Sequence, residues 1–249
     1  MAALPDAARI RAILLDIEGT TTPVDFVYGV LFPFARAHVE EFLRRHHADD
    51  DVQQDLGALR RQRAAEAQAA ADLMPWQDET SEARVKSAAA YIYWLMDRDR
   101  KFSALKSLQG KIWEAGYRSG ELRGQVYADV APALARWPRQ KRAIAIFSSG
   151  SVLAQKLLFA HSSAGDLTPF IGAYFDTAMG PKQDEQSYRR IAAALALAPG
   201  EIVFLSDVVA ELDAARGARL ETLLCVRPGA AEPAGATHPI VHTFDEVFP

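Results

Sequence analysis

Two carboxylates two residues apart, Asp16 and Glu18, followed by Gly19-Thr20-Thr21, form the sharpest chemical segment of the chain. One acid of such a pair can attack phosphorus or ligate a hard cation, while the other serves as acid or base. An isolated D-x-E is common and is ordinarily a solvated turn. Here it directly follows the apolar run Ala12–Leu15, and two other polar groups stand in the same relation to apolar runs. Ser148-Ser149-Gly150-Ser151 follows Ala143–Phe147, and Ser206-Asp207 follows Ile202–Leu205. Small hydroxyl residues and glycine at a helix start let backbone N–H groups approach an anion. Serine is also an ordinary helix cap, so Ser148 can meet an anion while Ser151 caps. Asp207, at a strand end, reads as a metal ligand. Glu211 reads either as a further partner of that site or as an exposed residue in the first turn of the next helix. Lys182, in Met179-Gly180-Pro181-Lys182, reads on spacing alone as a solvated loop charge.

These residues need a frame that gathers them. The three apolar runs are too short for ordinary helices and lack alternation, which suits parallel strands buried on both faces. A fourth strand is expected at Glu221–Val226. Helical stretches are expected at Ser151–Ala160, Gln186–Leu197 and Val209–Arg216. Strands alternating with helices predict an α/β domain with a parallel sheet, whose ligands bind outside the C-terminal strand ends. Residues 23–120 read differently. Val27, Leu31, Phe34, His38 and Phe42 recur at helical spacing, with Pro33 expected to kink or restart the helix. Arg60–Asp72 is an alanine-rich helix former, Thr80–Arg98 begins with capping residues, and Ala104–Ala115 ends at Gly116 as the expected stop. The expected division is therefore an α/β core of residues 1–22 and 121–249, with a mostly helical module of residues 23–120 inserted after the first strand. Pro228–Pro239 is expected to be a surface loop.

Composition removes several classes. The 249 residues carry a net charge of −4, which offers no excess of positive charge for a nucleic-acid backbone. Cys225 is the one cysteine, so no internal disulfide or cysteine metal cluster can form, and a reducing, cytoplasmic setting is expected. No apolar run approaches the roughly 20 residues of a membrane span, and MAALPDAARIR has no signal-peptide apolar core. His46 and His47 before Asp49-Asp50-Asp51 read as a solvated helix terminus, and the four tryptophans as packing anchors. Neither G-x-G-x-x-G nor G-x-x-x-x-G-K-[ST] occurs.

The ordered set Asp16-x-Glu18, Ser148, Lys182 and Asp207 resembles the four motifs of the haloacid dehalogenase (HAD) superfamily. The helical insert resembles that superfamily's first type of cap domain. Most phosphatases of the superfamily carry D-x-D; Glu18 in the second place is similar to a narrower group, the acireductone synthases or enolase-phosphatases of methionine salvage. Longer stretches share that resemblance: Asp16–Pro23 (DIEGTTTP), Val30–Phe34 (VLFPF), Gly116-Tyr117 with Gly120–Leu122, Phe147–Leu158 (FSSGSVLAQKLL) and Phe204–Val208 (FLSDV).

The resemblance implies a Rossmann-like HAD core and one Mg2+ per chain; a monomer is expected. It implies that Asp16 is the nucleophile and a magnesium ligand. Glu18 would be the acid–base that also lends its backbone carbonyl to the metal. Ser148 and Ser149 would hold phosphate, Lys182 would neutralise the phosphoryl charge and orient Asp16, and Asp207 would complete the metal site. The implied substrate is the phosphorylated diketone 2,3-diketo-5-methylthiopentyl-1-phosphate, enolised and then dephosphorylated through an aspartyl-phosphate to the acireductone. Three other readings stand beside it: a general Mg-dependent HAD phosphatase on another small ester, a catalytically silent HAD-like binding protein, and a haloacid dehalogenase proper.

Overall fold

The computed structural model describes residues 4–66, 75–100, 102–235 and 237–249. The elements run β1 (Ala12–Leu15), α1 (Val24–Phe26), a π-helical turn (Val27–Leu31), α2 (Phe32–His46), α3 (Asp50–Ala65), α4 (Ser81–Asp97), α5 (Ser103–Ser119) and α6 (Val130–Arg136). They continue with β2 (Ala143–Phe147), α7 (Val152–Ala160), β3 (Ala173–Phe175), α8 (Glu185–Ala194), β4 (Ile202–Ser206), α9 (Val209–Gly217), β5 (Glu221–Cys225) and β6 (Ile240–Val241). The chain divides into two compact units, residues 1–27 with 123–249 and residues 28–122. The sequence places the corresponding boundaries at 22/23 and 120/121.

The first unit is built on one six-stranded parallel sheet, ordered β3-β2-β1-β4-β5-β6. Its central strands cross a core covered on both sides. β1 and β4 are buried at every position. On one face Ala12, Leu14, Phe147 and Phe204 pack with Tyr188 and Ile191 of α8 and Leu212 and Ala215 of α9. Ile13, Leu15, Ile144, Ile146, Val203 and Leu205 point the other way and are equally buried. Burial of both faces explains the unalternating apolar runs. Order runs outward from β1 in both directions, so the switch point lies between β1 and β4, and in such sheets ligands bind outside the C-terminal strand ends there.

β3 and β6 are absent from the sequence reading. They are edge strands of three and two residues, with β3 only half-buried, so neither leaves a periodic trace. The Pro228–Pro239 stretch is mostly exposed, and no helix or strand is assigned within its described residues. His238 is its exception: it is buried, with Nδ1 2.8 Å from Thr222 Oγ1.

The second unit is helical. α2 packs on α4 and α5, and α3 on α4 and α5. A π-helical turn precedes Phe32-Pro33 at the start of α2, so Pro33 restarts the helix where its missing N–H costs nothing. Thr80 caps α4, its side chain accepting from Ala83 N–H. α3 covers the front of the alanine-rich stretch; residues 67–72 of that reading lie outside the described residues. Gly116 is a correction. It lies inside α5, and the stop is Gly120, which adopts the left-handed conformation at φ 81°. A Cβ at Gly116 would come within 2.5 Å of the Phe34 ring, so its glycine serves close packing. Trp94, Trp113 and Trp137 are buried, the last donating its indole N–H to Val247 O. No helix among the described residues is long and apolar enough to cross a membrane.

Candidate active site at the sheet edge

Asp16 is the first residue past β1 and Ser206 the last of β4. The parallel register pairs Leu15 with Leu205, and Asp16 N–H donates to Leu205 O at 3.0 Å. Strand pairing alone therefore sets residues 16 and 206 side by side. Asp16 is 2 % exposed. Its Oδ1 accepts from its neighbour Ile17 N–H (2.8 Å) and from Lys182 Nζ (2.6 Å), and its Oδ2 accepts from Ser206 Oγ (2.9 Å). Three donors thus fix its plane.

Lys182 reaches this point from the turn between β3 and α8. Tyr188 Oη holds its carbonyl at 2.7 Å, Ser187 Oγ holds that of Pro181 at 2.7 Å, and Asp184 caps α8. The ammonium also contacts Glu211 Oε2 at 2.6 Å, so one cation bridges two buried carboxylates. Burial works against its charge, but Asp16 and Glu211 outweigh that and raise its pKa above the ordinary lysine value. The solvated-charge reading that spacing gave Lys182 is therefore corrected. Its side chain is 9 % exposed, because the turn folds back over the sheet edge. Glu211, in the first turn of α9, is likewise largely buried. Burial, then the nearby Asp16 charge, pushes it up to about 7 despite the lysine.

Glu18 sits on the loop beyond Asp16 and accepts a long bond from Ser148 Oγ at 3.4 Å. Burial and then Asp16 raise its pKa. Ser148 follows β2, and its Oγ also accepts from Gly150 N–H at 3.1 Å. Ser149 stands beside it, partly exposed, and Ser151 caps α7 by accepting from Ala154 N–H at 3.3 Å. Asp207 lies just past β4. Its N–H donates to Thr20 Oγ1 at 3.1 Å, while its buried Oδ1 has no hydrogen-bond partner. Burial, then Asp16, pushes its pKa to about 6. Gly19, at φ 67°, makes this approach possible: a Cβ there would fall 2.1 Å from Asp207 Oδ2.

The structure thus brings Asp16, Glu18, Ser148, Lys182, Asp207 and Glu211 to one edge of one unit. Sequence reasoning missed roles for Ser206, Thr20 and Gly19. The available signal was their adjacency to the acids, since any residue flanking a strand-end carboxylate is within its reach.

Among the described residues, no three His, Cys, Asp or Glu side chains form a ready cage for a metal ion. Magnesium asks for less. It keeps several waters and binds through one or two carboxylates. The residues fit that demand: hard oxygen donors only, two carboxylates on adjacent strand ends, and the partnerless Asp207 Oδ1. The raised pKa values of Asp207 and Glu18 report the mutual repulsion and desolvation that a cation would relieve.

A family model described as haloacid dehalogenase-like hydrolase matches residues 10–219. The chain is 53 % identical over 244 residues to the enolase-phosphatase E1 of Synechococcus elongatus, covering 98 % of this chain and 100 % of that one. It is 47 % identical over 249 residues to the enolase-phosphatase E1 of Sorangium cellulosum, with both chains covered in full. Among solved structures, the UTR4 protein of Saccharomyces cerevisiae matches with a TM-score of 0.77 at 33 % identity, covering 96 % of this chain and 100 % of that one. A dehalogenase solved with an intermediate complex matches at TM-score 0.54 and 20 % identity, over 97 % of this chain and 96 % of that one, a likeness of fold. On this full-length identity, the chain belongs to the enolase-phosphatase E1 family of haloacid dehalogenase-like hydrolases.

Proposed function

We propose that this phosphatase enzyme is an acireductone synthase: it enolises 2,3-diketo-5-methylthiopentyl-1-phosphate and then removes the phosphoryl group, yielding 1,2-dihydroxy-3-keto-5-methylthiopentene for methionine salvage. The observation that carries the phosphatase half is the Asp16 carboxylate, buried at the switch point and held by Lys182 and Ser206. Phosphoryl transfer needs positioning and charge neutralisation more than covalent machinery, and this arrangement supplies both.

Asp16 attacks phosphorus: an Asp16 O–P bond forms as the bond to the substrate oxygen breaks. Glu18, whose pKa burial raises, gives its proton to that leaving oxygen. It then takes a proton from the water that attacks the aspartyl-phosphate. The new water O–P bond replaces the Asp16 O–P bond, and phosphate leaves with Glu18 again protonated. Lys182 steadies Asp16 and offsets the charge that gathers on the phosphoryl oxygens. Ser148 and Ser149, at the start of α7, receive the phosphate. Asp16, Asp207 and the Glu18 carbonyl would hold one Mg2+ per chain. When bound, that ion supplies Lewis-acid stabilisation to the enediolate and phosphoryl oxygens.

The test is a two-step assay on the diketone phosphate. A transient enol absorbance followed by phosphate release is the expected course. Phosphate release with no preceding enol would leave a general phosphatase and end the specific assignment.

A further inference from the structure

A second buried cation also holds the loop that carries the acids. Arg227, two residues past β5, is 4 % exposed. Its Nε and Nη2 both donate to the carbonyl of Thr20, at 2.8 and 2.6 Å. Its Nη1 donates to Asp129 Oδ2 at 2.6 Å, and that oxygen also accepts from Phe244 N–H at 2.6 Å. The guanidinium lies 4.4 Å from the ring centres of both Tyr127 and Phe244. Nη1 also donates to His242 O at 3.4 Å, so all three nitrogens have partners and two rings cover the plane, which makes this fork a fixed anchor rather than a mobile charge.

The anchored residue is the one that locks Asp207. Thr20 presents its carbonyl to Arg227 and its Oγ1 to Asp207 N–H. Gly19, one residue earlier, packs its Cα against the Asp207 carboxylate. The same loop carries Asp16 and Glu18 and is pinned further by Tyr127 N–H donating to Thr21 O at 3.0 Å. Strand pairing sets residues 16 and 206 side by side, but the Asp207 backbone beyond β4 meets the loop at Thr20, and that contact must hold against the mutual repulsion of the acids before a cation arrives.

We propose that Arg227, clamped by Asp129, is the positioning residue that presets the spacing between Asp16 and Asp207 for a divalent cation. It touches neither acid and acts through Thr20. Magnesium tolerates little departure from octahedral geometry, so a preset spacing raises its affinity directly. The inference rests on the metal-site reading above.

The experiment is calorimetric titration of Mg2+ into metal-free protein. It compares the wild type, Arg227→Lys, which loses the fork and keeps the charge, and Asp129→Asn, which loosens the clamp. Wild-type binding with Kd weakened about 10-fold or more in Arg227→Lys is expected, as for other outer partners of metal ligands. Faster amide exchange over residues 17–22 in the metal-free variant is expected with it. Unchanged Kd with only a lower melting temperature would overturn the proposal and leave Arg227 a structural residue. A wild type that takes up no Mg2+ would instead remove the metal reading beneath it. Should both variants fail to fold, Thr20→Val, which cuts only the link to Asp207 N–H, decides by the same Kd.

Discussion

Two buried cations grip the loop after β1, and they grip it differently. Lys182 holds a side chain: its ammonium contacts Asp16 and Glu211, both at 2.6 Å, with the Phe147 and Phe204 rings about 6 Å away. Arg227 holds backbone: its planar fork meets the Thr20 carbonyl and is pressed between two closer rings. An ammonium on a flexible stem can share its donors with a newly arrived phosphoryl group. A guanidinium spent on the carbonyls of Thr20 and His242 and on one aspartate cannot. The chemistry therefore lies with the lysine, and the geometry that chemistry needs lies with the arginine.

The largest effect tests the residue that the lysine serves. Asp16→Asn keeps the shape and removes the nucleophile, and phosphate release is expected to fall by about 10^4-fold or more with the circular dichroism spectrum retained. Turnover near wild type would refute the assignment of Asp16. Lys182→Met comes next. It leaves Asp16 and Glu211 buried without their shared cation, so a cost of about 3 kcal/mol or more in urea unfolding is expected. The expected loss in kcat is about 10^2- to 10^3-fold, not recovered by raising Mg2+.

Arg227→Met breaks the comparison from the other side. It strips the Thr20 carbonyl of two donors and leaves Asp129 without its counter-charge, so a stability cost of about 3 kcal/mol is again expected. Its kcat loss should be smaller than that of Lys182→Met and should shrink as Mg2+ is raised. Equal losses at saturating Mg2+ would show that the contrast between a mobile and a fixed cation is wrong.

That contrast also marks what the sequence could carry. Asp16, Ser148 and Asp207 were legible because each lies within two residues of the end of a buried apolar run, and strand direction then places them on one edge. The helical character of residues 27–42 was legible from periodicity and that of residues 80–98 from capping residues, whereas the front of α3 (Asp50–Ala65) was not, its start having read as a solvated helix end. Lys182 was not legible from spacing, since its burial depends on a turn folding back over the sheet; resemblance alone singled it out. Arg227 follows the strand Glu221–Cys225 much as the acids follow theirs, but an arginine before Pro-Gly reads as exposed. Only the partners brought from positions 129, 127 and 244 bury it. β6 was hidden for a related reason, being two residues whose strand character exists only through pairing with β5.

The smallest effect separates charge from contact at Glu211. The 2.6 Å pair with Lys182 favours its ionised form, but burial and the Asp16 charge prevail and hold its pKa at about 7, above the ordinary glutamate value of 4.5. The native state therefore binds a proton there more tightly than the unfolded chain does. The stability this proton contributes is present below pH 4.5 and is lost as pH rises from about 4.5 to 7. Glu211→Gln carries a neutral side chain throughout and lacks that loss. In metal-free protein, the stability of the variant relative to wild type should rise between pH 5 and pH 8, measured by urea unfolding. A difference that stays flat across the window would mean that the lysine contact, not burial, governs Glu211, and that Lys182 serves both carboxylates as firmly as Arg227 serves its carbonyl.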